Sequence, residues 1–249
     1  MNSRRHILMA SIAAAGLAGL TRTARAEAEV LRVGTDATFP PMEFTDAGKR
    51  TGFDIDLVEA IAGVMGRKVE WVDIDFKGLI PGLMANRFDI AVSAIYITDD
   101  RKKVVDFADS YFAGGLVTMV KTGSTAIKAP IDLNGKKVAV QVGTKSVSYL
   151  KEVFPKVELV EVEKNQEMFD LVAIGRADAL VTGKPAAFQY ARTRGGLVVL
   201  EPQLTTEEYG MALRKDEPQL TKAVNAALTK LKADGDYGKI VANWFPPAK

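Results

Sequence analysis

The sequence predicts an α/β fold arranged as two lobes of similar plan. Short apolar stretches typical of strands alternate with stretches whose apolar residues recur at helical spacing. In addition, the segment 86–92 (NRFDIAV) resembles the segment 175–181 (GRADALV), and each follows a predicted helix and opens a predicted strand. This likeness indicates one α/β unit used twice, although a shared helix-to-strand turn would give the same pattern by chance.

Each predicted element rests on its apolar spacing. Residues 54–66 should form a helix, because five apolar residues fall on one face and Gly66 supplies a stop. A shorter helix is predicted at 78–86, and residues 220–231 carry a regular apolar helix stripe. Short strands are predicted at 30–34, 69–74, 89–93, 138–142, 159–162, 179–182 and 197–200.

The first 26 residues have the pattern of a cleaved export signal. Arg4 and Arg5 give a positive start, residues 7–20 are uncharged and mostly apolar, and residues 24–26 (ARA) suit a signal peptidase. A membrane anchor is the alternative, but a span needs about 20 apolar residues. The paired arginines also fit a twin-arginine signal, although such pairs are common in ordinary signals. We therefore expect cleavage after Ala26.

Removing this signal changes the charge and the available chemistry. Four of the 33 lysines and arginines leave with it, so 29 basic residues remain against 31 acidic ones, a net charge of −2. That balance predicts no nucleic-acid partner. His6, the only histidine, also leaves, and the chain has no cysteine. Because these residue types dominate acid–base, nucleophilic and zinc chemistry, we expect no metal, no cofactor and no enzymatic activity.

Polar and aromatic residues follow four of the predicted strands. In open α/β sheets, ligands bind beyond the carboxyl ends of the strands. The segments at these ends are 35–41, 93–101, 143–146 and 182–185. Together they predict a ligand cleft between the two lobes.

Two of these segments contain candidate anion-binding groups. The segment 143–146 (GTKS) lacks the earlier glycine of a phosphate-binding P-loop, so we expect no nucleotide site. Its backbone N–H groups would suit a carboxylate, while a plain turn capped by Thr144 is the alternative. Arg101 is either a bidentate carboxylate ligand or part of a solvated charged turn.

Aromatic and acidic side chains in or beside these segments also have two interpretations. Phe39, Phe76 and Tyr96 are candidates either for a ligand platform or for the core. Asp36 is a candidate for holding a polar group of the ligand or for capping a turn.

Six motifs along the chain carry a family resemblance. They are GTDATFPPMEF at 34–44, GFDIDL at 52–57, ITDDRKK at 97–103, VQVGT at 140–144, DYG at 236–238 and NWF at 243–245. In this combination and order, the mature chain resembles the type 3 extracellular solute-binding proteins, the receptors of polar amino-acid ABC importers. Within that family it is similar to the glutamine- and cystine-binding proteins of Gram-negative bacteria. The resemblance runs from Val30 to Phe245.

The resemblance implies a periplasmic-binding-protein fold, with each lobe a sheet flanked by helices and a two-strand hinge that closes over the ligand. By position, lobe 1 would comprise residues 27–111 and 209–249, and lobe 2 residues 115–205. The hinges would lie near 111–115 and 205–209. The protein would be a periplasmic monomer that captures an amino acid or related small carboxylate and docks on an inner-membrane ABC permease.

The resemblance also implies roles for individual residues, carried over by position. Arg101 would hold the α-carboxylate of the ligand, together with the backbone N–H of Thr144. Ser93 and Ala94 would offer main-chain groups. The positions that would contact or select the side chain of the ligand are Phe39, Phe76, Asp36 and Gln141.

Two positions depart from the family pattern. The family holds the α-ammonium with an aspartate where this chain has Gly183, and it favours a serine or threonine where this chain has Tyr96. Since a buried ammonium without a carboxylate is costly, we expect a ligand that lacks a free α-ammonium or places its amine elsewhere, for instance against Asp36. Lys145 and Lys184 would suit a second anionic group. An alignment shifted by one or two residues, with an ordinary amino acid bound, is the alternative.

Two other function classes share parts of this pattern. Cyclohexadienyl dehydratases have the same fold and carboxylate grip, but they need a catalytic glutamate where this chain has KPAA at 184–187. A soluble receptor that contacts a sensor partner is the second class. The sequence favours uptake over both.

Overall fold

The computed structural model describes residues 29–246. The predicted signal peptide, with its cleavage site after Ala26 and its paired arginines, lies outside the described residues. No helix among those described is long and apolar enough to cross a membrane. In chain order, the strands and helices of this part are β1 (Val30–Thr35), β2 (Thr38–Phe39), β3 (Glu43–Asp46), β4 (Lys49–Thr51), α1 (Phe53–Met65), β5 (Lys68–Asp73), α2 (Leu79–Met84), β6 (Ile90–Ala91), α3 (Asp99–Val104), β7 (Asp106–Phe107), β8 (Phe112–Ala113), β9 (Leu116–Lys121), β10 (Lys137–Gln141), α4 (Lys145–Val153), β11 (Glu158–Val162), α5 (Asn165–Ala173), β12 (Ala179–Gly183), α6 (Lys184–Thr193), β13 (Leu197–Leu200), β14 (Glu208–Tyr209), β15 (Ala212–Leu213), α7 (Pro218–Asp234) and α8 (Asp236–Trp244).

Two five-stranded sheets share the same plan. The first has the strand order β5-β1-β6-β15-β7 and the second the order β11-β10-β12-β9-β13. In each sheet only the fourth strand runs opposite to the other four. The similar segments 86–92 and 175–181 lead into β6 and β12, which are the third strands of their sheets. The repeated motif therefore marks equivalent positions, and the predicted two-lobed α/β fold is confirmed.

Each sheet forms the centre of one lobe. The strands of the first sheet lie within residues 30–107 and 212–213, and those of the second within 116–200. The parts built around them are called lobe 1 and lobe 2. Val33 on β1 and Val140 on β10 are fully buried, as expected for inner strands of sheets covered by helices on both faces.

The helix α1 follows its apolar stripe. Leu57, Val58 and Ile61 are buried against lobe 1, whereas Met65, in the last turn, is half-buried. Gly66 ends the helix in the left-handed region with φ of 69°, which suits glycine.

Two short strands connect the lobes. β8 pairs antiparallel with β14, so that Phe112 lies opposite Tyr209. Gly115 follows β8 with φ of 99°, and a Cβ atom there would collide with the carbonyl of Thr205. A residue with a side chain therefore does not fit at position 115, where the chain passes from lobe 1 to lobe 2.

The strand β6 is shorter than the predicted strand at 89–93. Its pairing covers only Ile90–Ala91, because Ala94 adopts φ of 44° and donates its N–H to Asp54 Oδ2 at 2.8 Å. The chain thereby leaves the sheet early and brings Ser93 to the space between the lobes.

Candidate ligand-binding site

A small cavity between the lobes collects nine of the ten predicted site residues. It measures about 30 Å³, which is room for about two water molecules. Both lobes contribute to its lining. The predicted residues in the lining are Asp36, Phe39, Phe76, Ser93, Ala94, Tyr96, Gln141, Thr144 and Gly183. The tenth, Arg101, lines a neighbouring groove instead.

Asp36 is a buried carboxylate that joins the two lobes. Its Oδ2 accepts from Gln141 Nε2 at 2.8 Å and from Phe76 N at 3.2 Å. Its Oδ1 accepts from Thr38 Oγ1 at 3.2 Å and from Lys164 Nζ at 3.3 Å. Burial raises the pKa of Asp36, and the charge of Lys164 opposes that shift. Four donors thus occupy the acceptor positions that two carboxylate oxygens offer.

Lys164 of lobe 2 forms two ion pairs across the cleft. Its Nζ is 2.6 Å from Asp75 Oδ1 and 3.3 Å from Asp36 Oδ1, and both carboxylates belong to lobe 1. Next to it, Lys77 of lobe 1 pairs with Glu163 of lobe 2. These contacts hold the lobes together at the edge of the cavity.

Two buried acids lie at the lobe 1 side of the cavity. Glu43 Oε1 accepts from Ser93 Oγ at 2.6 Å, and Asp54 Oδ2 accepts from Tyr111 Oη at 2.9 Å. Glu43 Oε2 and Asp54 Oδ1 have no donor among the described residues, and one proton shared between the two carboxyl groups would satisfy both. Burial raises the pKa of Glu43 well above its usual range and the pKa of Asp54 to about 6.

Gly183 faces two tyrosine hydroxyls. Tyr209 Oη donates to Tyr96 Oη at 3.1 Å, and Tyr96 Oη donates to Gly115 O at 2.8 Å. Burial raises the pKa of both tyrosines, so both hydroxyls stay protonated near neutral pH. A Cβ atom on Gly183 would collide with Tyr209 Oη and would lie 3.0 Å from Phe39 Cζ. The space that an aspartate would need here is therefore filled.

Arg101 lies at the edge of the cavity. Its Nη1 donates to Tyr96 O at 2.8 Å and its Nη2 donates to Gly143 O at 3.3 Å. The guanidinium carbon is 5.7 Å from the ring centre of Phe76, within cation–π range. Burial lowers the pKa of Arg101 to about 10. It forms no ion pair with any of residues 29–246, so this cation lacks an anionic partner within the described protein.

The helix α4 begins at Lys145, two residues after Gly143. Thr144 occupies the N-cap position, but its Oγ1 donates to Gln141 O at 2.7 Å instead of capping the helix. Its N–H points to the same carbonyl at 3.3 Å. The N–H groups of Lys145 and Ser146, in the first turn, have no partner within the helix. The anion-binding capacity of this helix start therefore rests mainly on Lys145 and Ser146.

Several residues in or beside the cavity were not among the predicted site residues. Lys164, which lies beside the cavity in a neighbouring groove, follows β11, so the rule that ligands bind beyond strand ends could have found it. Tyr209 could not be found in this way, because its place depends on how the second connection returns to lobe 1. The other residues of the lining are Thr38, Glu43, Leu116, Lys145, Ser146, Asn165, Met168, Val181 and Thr182.

Comparison with known proteins assigns the chain to a family. The family model of the bacterial extracellular solute-binding proteins, family 3, matches residues 31–247. The chain belongs to this family. The family 3 match spans both lobes and all the cavity residues, and it confirms the resemblance that the motifs indicated.

Individual relatives of this family 3 protein are similar along nearly their whole length. The L-cystine-binding protein of Escherichia coli strain K12 is 30% identical, with 97% of this chain and 95% of the relative covered. The L-arginine-binding protein of Pseudomonas aeruginosa is 34% identical, with 95% and 96% covered. A solved structure, the ancestral amino acid-binding protein AncCDT-1, a precursor of cyclohexadienyl dehydratase, has a TM-score of 0.82 and 44% identity, with 87% and 95% covered.

Proposed function

We propose that this protein captures a small carboxylate-bearing solute by closure of its lobes and delivers it to an inner-membrane ABC permease. The observation that carries the proposal is Arg101, a partly buried cation without an anionic partner in residues 29–246, beside a cavity that both lobes line. Family membership and relatives named for amino-acid binding support an uptake receptor.

The carboxylate of the solute binds between Arg101 and the start of α4. Burial without a counter-ion costs free energy, which the lowered pKa of Arg101 reflects, and a solute carboxylate would offset that cost. Arg101 already donates to Gly143 O, which places the guanidinium next to the first N–H groups of the helix. A carboxylate there receives charge-assisted hydrogen bonds from both.

The α-substituent of the solute is uncharged, as in a 2-hydroxy or 2-keto acid. Among the described residues of the cavity lining, two are acidic. Asp36 already accepts four hydrogen bonds, and burial raises the pKa of Glu43 well above its usual range, which favours its uncharged form. At Gly183 the tyrosine hydroxyls take the place of a carboxylate. An α-ammonium would therefore be buried without an anionic partner, at a cost of several kcal/mol.

An α-amino acid is the second candidate solute, and the names of the relatives favour it. Its ammonium would have to displace Lys164 from Asp36. That exchange is chemically possible because the Lys164 side chain is 40% exposed and keeps Asp75 as a partner. The two candidates therefore differ in what Asp36 binds when the cavity is filled.

Binding rather than catalysis is the proposed activity. The similarity to AncCDT-1 raises the dehydratase alternative. However, the segment 184–187 (KPAA) carries no acid at the place where a catalytic glutamate would be expected, and the described lining contains no histidine or cysteine. An assay in which the protein forms no phenylpyruvate from prephenate would exclude dehydratase activity.

The family consists of extracellular solute-binding proteins. We infer that the predicted signal, cleaved after Ala26, exports this protein to the periplasm, where it acts as a monomer. Calorimetric titration with the twenty amino acids, keto acids, dicarboxylates and opines tests the solute class. The proposal predicts sub-micromolar binding of an acid without an α-ammonium, and failure of every carboxylate in the panel would contradict it.

A further inference from the structure

A groove beside the connecting strands, called the hinge groove below, has the size of a small-molecule site. Its lining includes Phe112, Lys184, Phe188, Arg192, Trp244 and Phe245. It measures about 620 Å³, within the range of roughly 300–1,000 Å³ that such sites span, and is far larger than the cavity between the lobes. Gly183 lines the cavity, whereas the next residue, Lys184, lines the groove and donates its N–H to Gly115 O in the crossing segment. The connection between the lobes therefore separates the two spaces.

The walls of the hinge groove are aromatic and come from both lobes. Phe188 on α6 belongs to lobe 2 and is 48% exposed. Trp244 and Phe245, at the end of α8, form the facing wall, and Trp244 Nε1 donates to Asp56 of lobe 1 at 2.7 Å. Phe112 on β8 also lines the groove, with its ring centre 4.6 Å from that of Phe245. A flat apolar molecule complements such walls.

The charge of the hinge groove favours an anion. Lys184 Nζ donates to Gln203 Oε1 at 3.0 Å, and Arg192 Nη2 donates to Gln189 Oε1 at 2.6 Å. Within residues 29–246 neither cation forms an ion pair, and the described lining of the groove contains no aspartate or glutamate. The ammonium of Lys184 also lies 5.8 Å from the ring centre of Phe188, within cation–π range. Two cations without a carboxylate partner, beside aromatic walls, complement an aromatic molecule that carries one acidic group.

We propose that the hinge groove binds a small aromatic carboxylate and that this molecule favours the closed arrangement of the lobes. Because the connecting strands lie between groove and cavity, a rotation that opens the cavity brings Phe188 toward Trp244 and narrows the groove. In this structure the lobes contact each other across the cleft, through Gln141 with Asp36 and Lys77 with Glu163, which is the closed arrangement. A molecule that fits the groove at its present width therefore binds the closed arrangement more tightly. By linkage it raises the affinity for the solute in the cavity.

Calorimetric titration with 1-naphthoate tests the site. Lys184→Gln combined with Arg192→Gln is expected to weaken binding about tenfold or more, since two charge-assisted contacts are lost. Phe188→Ala, at an exposed position, should also weaken binding. The control Lys121→Gln with Lys128→Gln removes the same charge from exposed positions of lobe 2 outside the groove and should bind as the unmodified protein does.

Three outcomes would overturn the site. One is equal affinity of the Lys184→Gln, Arg192→Gln variant and the unmodified protein. A second is equal affinity for 1-naphthoate and the uncharged 1-naphthylmethanol. The third is binding that Arg101→Ala abolishes while the groove variants leave it intact, because 1-naphthoate would then occupy the cavity.

Spin labels test the coupling to lobe closure. The chain has no cysteine, so Met84→Cys and Ile174→Cys place one label on each lobe at positions that are 55% and 65% exposed. Saturating 1-naphthoate is expected to shift the label distances, measured by double electron–electron resonance, toward the closed arrangement. An unchanged distribution, or a shift toward the open arrangement, would overturn the coupling.

Discussion

The hydroxyl of Tyr209 occupies the space that a side chain at Gly183 would need. A Cβ atom on Gly183 would collide with Tyr209 Oη, and that hydroxyl is fixed by its hydrogen bond to Tyr96. A tyrosine pair in this arrangement and an aspartate at position 183 therefore exclude each other. This gives a physical reason for a glycine at position 183, where the family resemblance implies an aspartate.

The packing at this point is tested by Gly183→Ala. We expect it to lower the free energy of unfolding by about 1–3 kcal/mol, the usual cost of overpacking a filled site. Tyr209→Phe removes the colliding oxygen, so the same alanine should cost much less in that background. Urea unfolding of the four proteins measures the difference. An equal cost in both backgrounds would show that the hydroxyl does not fill the space.

The carboxylate grip is tested by Arg101→Ala. Binding of the tightest solute found in the panel should weaken at least thirtyfold, because losing one partner of a desolvated charge pair costs roughly 2–5 kcal/mol. The free energy of unfolding should change by about 1 kcal/mol or less, because the cost of burying this cation without a counter-ion offsets its two hydrogen bonds to backbone carbonyls and its contact with Phe76. Lys102→Ala, at the exposed neighbouring position, is the control. Retained affinity in Arg101→Ala would refute the assignment.

The buried acids Glu43 and Asp54 predict a dependence of stability on pH. Both pKa values are raised in the folded protein, that of Asp54 from 3.8 to about 6. A carboxyl group of this kind binds a proton on folding. Its contribution to the stability of the protein is therefore complete below the pKa that it has in the unfolded chain, and this contribution is lost as the pH rises through the pKa that it has in the folded protein. Each such proton changes the free energy of unfolding by up to about 1.4 kcal/mol per pH unit.

Glu43→Gln isolates this contribution. Glutamine keeps an acceptor for Ser93 Oγ and offers an N–H to Asp54, but it does not titrate. Between about pH 4 and 6, the unmodified protein should therefore lose more stability with rising pH than Glu43→Gln does. Urea unfolding across that range measures the two slopes, and identical slopes would mean that the pair shares no proton.

Lys164 is expected to favour lobe closure. Lys164→Gln breaks its contacts with Asp36 and Asp75, and we expect a few-fold loss of solute affinity, because exposed ion pairs contribute about 1 kcal/mol or less. The loss should shrink at high salt. Lys151→Gln breaks a pair with Glu161 inside lobe 2 and serves as the control. Equal effects of the two substitutions would show that Lys164 has no special role in closure.

The sequence predicts the plan of the fold because strands and helices leave local patterns. The spacing of Leu57, Val58 and Ile61 predicts α1, and the similar segments 86–92 and 175–181 mark the third strands of the two sheets. The two-residue strands β7, β8, β14 and β15 leave no such pattern, because they depend on partners far along the chain. β6 ends early for the same reason, since Asp54 binds the backbone of Ala94.

Much of the site follows from strand ends and family motifs, which is why nine of the predicted residues line one cavity. Pairings between residues far apart along the chain could not be predicted in this way. Lys164 meets Asp36 over a separation of 128 residues, and this contact arises only once the two lobes are placed against each other. Tyr209 meets Tyr96 over 113 residues, and this contact arises only where the second connection returns to lobe 1.

The central claim is that the solute carries a carboxylate but no α-ammonium. Its most direct test is calorimetric titration with matched sets, each an amino acid together with the 2-keto and 2-hydroxy acids of the same side chain. We predict sub-micromolar binding of one keto or hydroxy acid, with its amino acid about a hundredfold weaker, because the ammonium would be buried without a partner. Sub-micromolar binding of an α-amino acid that has no other carboxylate, with weaker binding of its keto and hydroxy acids, would contradict the claim.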